Sequence, residues 1–178
     1  MTYDLRLLLS GALATAGVAA ADYHVTMNAI DAKGVGVAIG HVTISAAQQG
    51  GVLFTPDLKG LPPGAHGFHV HAFANCGARQ KEGRIAPGEM AGGHYDPKKT
   101  GKHSGPQGEG HMGDLPVLKV DGLGAATEPV TASHLTLRRL RNKSLVIHQG
   151  GDNYSDMPQP LGGGGARIAC GVIQAGER

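Results

Sequence analysis

Hydrophobic and polar residues alternate along most of the chain, in short runs that are typical of β-strands. In the segment 23–30, Val25, Met27 and Ala29 fall on one face of an extended chain, because successive side chains of a strand point to opposite sides. Similar runs predict further strands at 34–44, 51–58, 65–73, 115–120, 129–137, 144–149 and 166–173. No run with a helical period extends beyond about two turns. The pattern predicts an all-β fold of eight short strands, a β-sandwich or flattened barrel.

Two long segments interrupt this alternation. The first runs from 76 to 112, and Ile85 is its only branched aliphatic residue. The second runs from 150 to 165, and Leu161 is its only branched aliphatic residue. Loops of this length without a hydrophobic core of their own are either disordered or functional. The placement of their histidines decides between the two.

The first residues of the chain have the features of a secretory signal peptide. Arg6 precedes the apolar run 7–21, and Val18 and Ala20 are spaced for cleavage near Ala20 or Ala21. A membrane anchor is the alternative, but the run has about 15 residues, short of the roughly 20 that cross a bilayer. We therefore predict a signal peptide over 1–21 and an exported domain over 22–178, without a stable membrane span after processing.

Composition changes this picture little. The chain has 178 residues, 40% of them hydrophobic, and 30 glycines and 10 prolines, which suits one turn-rich β domain. Its net charge of +2 is too small to predict a nucleic-acid partner. Cys76 and Cys170 are its two cysteines, and in an oxidising compartment they favour one disulfide over two buried free thiols.

Two strand-like segments carry histidines that could bind a metal. In 67–73, His69 and His71 share one face of the strand, while Phe68 and Val70 face the core. Two imidazoles side by side can hold one transition metal, although paired strand histidines are common without one. His148 ends the hydrophobic run 144–149, and Asp152 follows it in the second long loop.

The first long loop carries a stronger signal. His94, His103, His111 and Asp114 lie close together in sequence among glycines, prolines and lysines. Three imidazole nitrogens and one carboxylate oxygen complete a tetrahedral zinc shell, which leaves no open position for a water. A solvated loop with chance histidines is the alternative, and the number of donors makes it a poor one.

These motifs together resemble the copper–zinc superoxide dismutases, in particular the bacterial periplasmic branch. The resemblance covers nearly all of the chain after residue 22 and is densest in GFHVH, GGHYDPKKTGKHSGPQGEGHMGDLP and HQGGDNYSDMPQPLGGGGARIACGVI. It implies an eight-stranded Greek-key fold with two long functional loops, a periplasmic location and dismutation of superoxide to dioxygen and hydrogen peroxide.

The resemblance also implies one copper ion and one zinc ion per subunit. The implied copper ligands are His69, His71, His94 and His148, and the implied zinc ligands are His94, His103, His111 and Asp114. His94 would bridge the two ions as an imidazolate.

Further roles follow from the same resemblance. Asp152 would accept hydrogen bonds from His69 and His103, and Cys76 would pair with Cys170. Arg167 would attract superoxide and, with His94, form the catalytic pair.

Other interpretations and residues fit less well. A non-enzymatic exported carrier or buffer of copper and zinc is the alternative function, and a zinc hydrolase is remote because Asp114 would fill the fourth zinc position. A homodimer is possible. The remaining histidines are predicted to lie at the surface or in turns, and the loop lysines are predicted to be solvated. These residues are His24, His41, His66 and His134, and Lys98, Lys99 and Lys102.

Overall fold

The computed structural model describes residues 23–174, so the predicted signal peptide lies outside the described residues. Eleven strands and one short α-helix follow one another within this range. They are β1 Tyr23–Asp31, β2 Gly34–Ala46, β3 Val52–Leu58, β4 Gly64–His66, β5 Phe68–His71, β6 Arg79–Lys81, β7 Arg84–Ala86, β8 Leu118–Val120, β9 Val130–Ala132, α1 Leu137–Leu140, β10 Lys143–His148 and β11 Arg167–Ile173. Two 3-10 helices, Glu89–Ala91 and Pro160–Gly163, lie in the long loops.

Most strands belong to one antiparallel sheet with the order β5-β10-β11-β1-β2-β3-β9. A second sheet pairs β4 with β8. Only Gly67 separates β4 from β5, so the chain passes directly from one sheet to the other. An isolated bridge joins Leu58, the last residue of β3, to Ala126 in the segment before β9. The strands curl around one hydrophobic core in which Phe54 and Phe68 meet edge to face, with ring centroids 5.9 Å apart.

This architecture confirms the predicted all-β flattened barrel with two long loops. Each of the eight predicted segments contains at least one strand, and the segment 65–73 contains both β4 and β5. The segment 129–137 forms only three residues of strand before the chain turns into α1. The β6–β7 hairpin lies inside the predicted loop 76–112. Its side chains are mostly exposed, so it lacks the hydrophobic alternation that reveals a half-buried strand.

The buried residues of β1 face two different hydrophobic clusters. Val25 and Met27 are buried in the main core as predicted, and Ala29 is only partly buried, whereas Ile30 is buried in a second cluster beside Cys170. The register pairs Met27 with Gly40 and Asn28 with Ala38, which leaves an extra residue on β2. Ala29 lies opposite the core residue Ala169, and Asn28 lies opposite Cys170, so the alternation of β1 continues through this irregularity.

A disulfide ties the first long loop to the last strand. Cys76 and Cys170 are joined with their Cα atoms 5.7 Å apart, and both residues are buried. Around them Ile30, Ala91 and Val146 form a small second hydrophobic cluster. The predicted pairing is therefore confirmed, and the bond fixes the start of the loop that carries His94.

Within the described part of the chain, no helix combines the length and apolar character needed to cross a bilayer.

We expect loss of the disulfide to destabilise the fold strongly. The bond spans 94 residues of sequence, and a closed loop of that length contributes about 4–5 kcal/mol in the chain-entropy model. The double variant Cys76→Ser/Cys170→Ser should therefore unfold at a clearly lower urea concentration than the oxidised protein. The exposed Ser133→Ala variant serves as the control, and an unchanged midpoint in the double variant would contradict this role.

Candidate metal centre

The first long loop is held against the open edge of β5 by backbone pairing. The amide of Val70 donates to Gly113 O, and the amide of Tyr95 donates to Val70 O, each over 2.8 Å. Gly113 permits this approach, because a Cβ there would collide with the carbonyl oxygen of Val70. The pairing places His94 opposite His71 and Asp114 opposite His69. A strand and a loop without regular structure thereby present their donors side by side.

A first cluster consists of four buried imidazoles. The ligand atoms of His69, His71, His94 and His148 all lie within 4.8 Å of one another. The rings of His69 and His94 have centroids 4.0 Å apart, and Nε2 of His71 lies 3.4 Å from Nε2 of His148. The structure therefore brings together all four predicted copper ligands.

A second cluster adjoins the first around Asp114. Its carboxylate oxygens lie 2.8 Å from Nδ1 of His94 and 2.9 Å from Nδ1 of His103. Nδ1 of His111 is more distant, 3.5 Å from Oδ1 of Asp114. The ligand atoms of His69, His94, His103 and Asp114 all lie within 4.8 Å of one another. The sequence had predicted His111, and not His69, as a member of this group. His69 and His94 therefore belong to both clusters, and of these two only His94 is bonded to Asp114.

Several ring nitrogens in these clusters are buried without a hydrogen-bond partner. They are Nδ1 of His69, Nε2 of His94, Nδ1 of His103 and Nδ1 of His111. For His103 the nearby oxygen of Asp114 is out of line for a hydrogen bond. A buried polar atom without a partner costs free energy, so four such atoms in two neighbouring clusters favour bound cations. Imidazole nitrogens with one carboxylate suit zinc, and a set of imidazoles alone suits copper. The residues present fit both ions.

Asp152 holds two of these rings from behind. Its Oδ2 lies 2.8 Å from Nε2 of His69, and its Oδ1 lies 2.7 Å from Nε2 of His103. Each ring donates its Nε2–H to the carboxylate. The lone pair of Nδ1 on each ring is then available to bind a metal ion. The backbone N–H of Tyr154 also donates to Asp152 over 2.7 Å. Carboxylates in this position fix the tautomer and orientation of ligating histidines.

Burial keeps most of the imidazoles in their neutral form. Burial lowers the pKa of His94 to about 4 and that of His148 to about 3. It also lowers the pKa of His71 well below the usual value. A neutral imidazole presents a lone pair, which is the form that binds a metal ion.

The second cluster instead attracts positive charge. Burial opposes a proton on His103, but the carboxylates of Asp114 and Asp152 on either side raise its pKa to about 9. Burial likewise opposes ionisation of Asp114, yet the neighbouring His103, His111 and His94 hold its pKa far below the usual range. A cation placed among these groups would replace the proton that they favour.

Arg167 lies at the mouth of the first cluster. Its guanidinium donates to the carbonyl oxygens of Gly88 and Gly92, the latter over 2.7 Å. Glu89 approaches the same guanidinium at 3.6 Å and also pairs with Lys81 at 3.1 Å. These charged groups line an open cavity of about 280 Å³ whose floor includes His71, His94 and His148. A small anion can therefore reach the first cluster past a guanidinium.

Sequence reasoning missed the charged pair of Lys81 and Glu89 at the cavity and the burial of His66. Lys81 and Glu89 follow no motif, because an exposed hairpin and a 3-10 helix bring them to the cavity.

His66 was predicted to lie at the surface or in a turn, and this was wrong. It is buried, with Nδ1 2.7 Å from the carbonyl oxygen of His148 and Nε2 2.8 Å from that of Pro62. The ring thus supports the end of β10 from within the protein.

The remaining expectations about surface residues agree with the structure. The other three histidines without a predicted metal role are exposed, and so are the three lysines between His94 and His103. These are His24, His41 and His134, and Lys98, Lys99 and Lys102.

Comparison with known proteins places this geometry in a family. Residues 38–173 match the family model described as copper/zinc superoxide dismutase. The chain is 55% identical over 171 residues to superoxide dismutase [Cu-Zn] 2 of Salmonella typhimurium, which covers 96% of this chain and 98% of that protein. It is 50% identical to the solved Cu/Zn superoxide dismutase from Brucella abortus, with a TM-score of 0.84 over 86% of this chain and 99% of that one.

A second solved relative is the monomeric copper, zinc superoxide dismutase from Salmonella enterica. It is 57% identical, with a TM-score of 0.78 over 86% of this chain and all of that one. The family match extends over most of the described residues and includes both histidine clusters, so this chain belongs to the copper/zinc superoxide dismutases.

Proposed function

We propose that this protein catalyses the dismutation of superoxide to dioxygen and hydrogen peroxide. The observation that carries the proposal is the position of His94 in two adjoining buried clusters with different donor sets. His69 also lies near both, but only His94 has one ring nitrogen on Asp114 and the other without a partner. A carrier needs only the donors, whereas this site also opens past Arg167 to a cavity that admits a small anion.

The four imidazoles of His69, His71, His94 and His148 would hold copper, and His94, His103, His111 and Asp114 would hold zinc. Although His69 lies near the zinc cluster, its Nε2 is engaged by Asp152, and its free Nδ1 is assigned to copper. His111 is assigned to zinc because its buried Nδ1 lacks a partner beside Asp114. Bound copper would supply a one-electron couple between Cu(II) and Cu(I), while zinc holds its ligands without changing oxidation state.

The chain's own contribution begins with proton handling at His94. Two superoxide anions and two protons give one dioxygen and one hydrogen peroxide, so the site must deliver protons where the anion binds. The Nδ1 side of His94 is held by Asp114 at 2.8 Å. Its Nε2 faces the first cluster without a hydrogen-bond partner. We assign Nε2 as the atom that takes up a proton in one half of the cycle and releases it in the other.

Arg167 contributes attraction and orientation of the anion. Its hydrogen bonds to Gly88 and Gly92 fix the guanidinium at the cavity. Local positive potential of this kind can raise association rates by roughly 10–10³-fold, and added salt weakens it. Glu89 partly offsets the charges of Arg167 and Lys81, because it lies close to both.

The alternative of an exported metal carrier or buffer is less well supported. A carrier does not need a guanidinium beside the first cluster. It also does not need Asp152, which connects the second long loop to the rings of His69 and His103. A zinc hydrolase is not favoured, because Asp114 would occupy the fourth zinc position.

Export and assembly belong to the same proposal. We propose that residues 1–21 are a signal peptide, that 22–178 form the mature domain and that the enzyme works in the periplasm as an antioxidant. The disulfide agrees with an oxidising compartment. The possible homodimer stays a prediction, and one solved relative is monomeric.

Superoxide consumption by the purified mature protein tests the function directly. Protein loaded with copper and zinc should bind the ions in a ratio near one and consume superoxide catalytically, whereas protein loaded with zinc alone should not. The reason is that only copper supplies the redox couple. Equal rates for the two preparations would favour the carrier.

Substitutions at two zinc-cluster histidines should separate their roles. His94→Ala should lower turnover by about 10²-fold or more, since it removes a proton-transfer group, and should weaken both metal sites. His111→Ala should mainly weaken zinc retention, because the four copper donors remain. The exposed His41→Ala variant is the control. Equal loss of copper and turnover in the His94 and His111 variants would contradict the sharing of His94.

Replacement of Arg167 should slow turnover of superoxide without loss of bound copper. Arg167→Ile should lower kcat/KM by roughly tenfold or more and flatten its dependence on salt, since steering by local charge is lost. Arg167→Lys should restore part of the rate, and Arg139→Ile, at an exposed position on α1, should change little. Loss of copper from Arg167→Ile would show that the residue acts chiefly through its hydrogen bonds to Gly88 and Gly92.

A further inference from the structure

Asp156, in the second long loop, connects His103 of the second cluster to Leu161, which lines the cavity beside Arg167. Its Oδ2 accepts a hydrogen bond from the backbone N–H of His103 over 2.9 Å. Its Oδ1 accepts one from the backbone N–H of Leu161 over 3.1 Å. Both oxygens of one carboxylate are thereby used, one on each of the two long loops. The resemblance of the surrounding motif implied no role for this residue.

Leu161 is the cavity residue that Asp156 holds. It lines the cavity together with His94, His148 and Arg167. Its backbone is left-handed, with φ 55° and ψ 43°, a region that residues with a Cβ adopt only when neighbouring contacts hold them there. Gly162 follows, and its N–H donates to Ser155 O over 2.9 Å. The hydrogen bond from Asp156 therefore helps to keep Leu161 in a conformation that it would not adopt alone.

Asp156 differs from Asp152 in what it contacts. Asp152 bonds the ring nitrogens of His69 and His103 and so orients ligand side chains. Asp156 contacts backbone N–H groups only. Its removal would leave every proposed ligand atom and its orienting carboxylate in place, so the two residues can be tested separately.

We propose that Asp156 is a positioning residue that couples order in the zinc loop to the shape of the superoxide entrance. This rests on the proposed function in that the cavity is taken to be the entrance. Zinc binding fixes His103, the backbone N–H of His103 fixes Asp156, and Asp156 fixes Leu161 at the cavity wall. A carboxylate is needed, because an asparagine side chain offers one acceptor and would turn an NH₂ group toward the other N–H.

Hydrogen exchange at Leu161 tests the coupling without any measurement of activity. In the wild type, zinc should slow exchange of the Leu161 amide. In Asp156→Asn the zinc effect should shrink by about tenfold, as expected when a hydrogen bond to a charged group is lost. Met157→Ala is the matched control, since this neighbouring side chain is exposed. An equal effect of zinc in the wild type and in Asp156→Asn would overturn the proposal.

Two further readouts separate coupling from general damage. Cobalt(II) in the zinc site should give the same visible spectrum in Asp156→Asn as in the wild type, because the ligand atoms are retained. At full copper and zinc content, kcat/KM should fall while metal content does not. A changed cobalt spectrum would show that Asp156 only supports the zinc site, which also overturns the coupling. A wild type without dismutase activity would refute the proposed function but leave the exchange result valid.

Discussion

The site depends on the backbone pairing between the first long loop and the edge of β5. Through Val70, Tyr95 and Gly113 this pairing places His94 beside the two histidines of β5. His94 then lies between a cluster of imidazoles and a cluster that contains a carboxylate. The strand supplies rigidity, and the loop supplies donors that a regular strand could not direct toward two points.

The long loops contain little hydrophobic material, and other interactions hold them. The Cys76–Cys170 bond fixes the start of the first loop. Asp152 and Asp156 connect the second loop to the first through the ring and the backbone of His103. In such a loop, a bound ion can supply the order that a hydrophobic core supplies elsewhere. Metal binding and the shape of the cavity are thus parts of one network.

The sequence predicted most of the barrel because half-buried strands must alternate. It did not reveal the β6–β7 hairpin, which is exposed and has no inward face, nor the burial of Ile30 in the cluster around the Cys76–Cys170 bond. The donors were predictable because histidines and an aspartate gathered in one aliphatic-poor loop together form a full ligand set for a metal ion. The contacts of Glu89 with Arg167 and of Asp156 with His103 were not predictable, since they join residues distant in sequence.

Electron paramagnetic resonance on protein carrying Cu(II) in both sites tests the sharing of His94 most directly. Two Cu(II) ions joined by one imidazolate are magnetically coupled, and ions on separate ligands are not. With both sites filled, the spectrum of isolated Cu(II) should largely disappear and a coupled spectrum should replace it. His94→Ala should restore the uncoupled form in whatever copper it retains. Two independent Cu(II) signals in the wild-type protein would contradict the central claim that one histidine serves both ions.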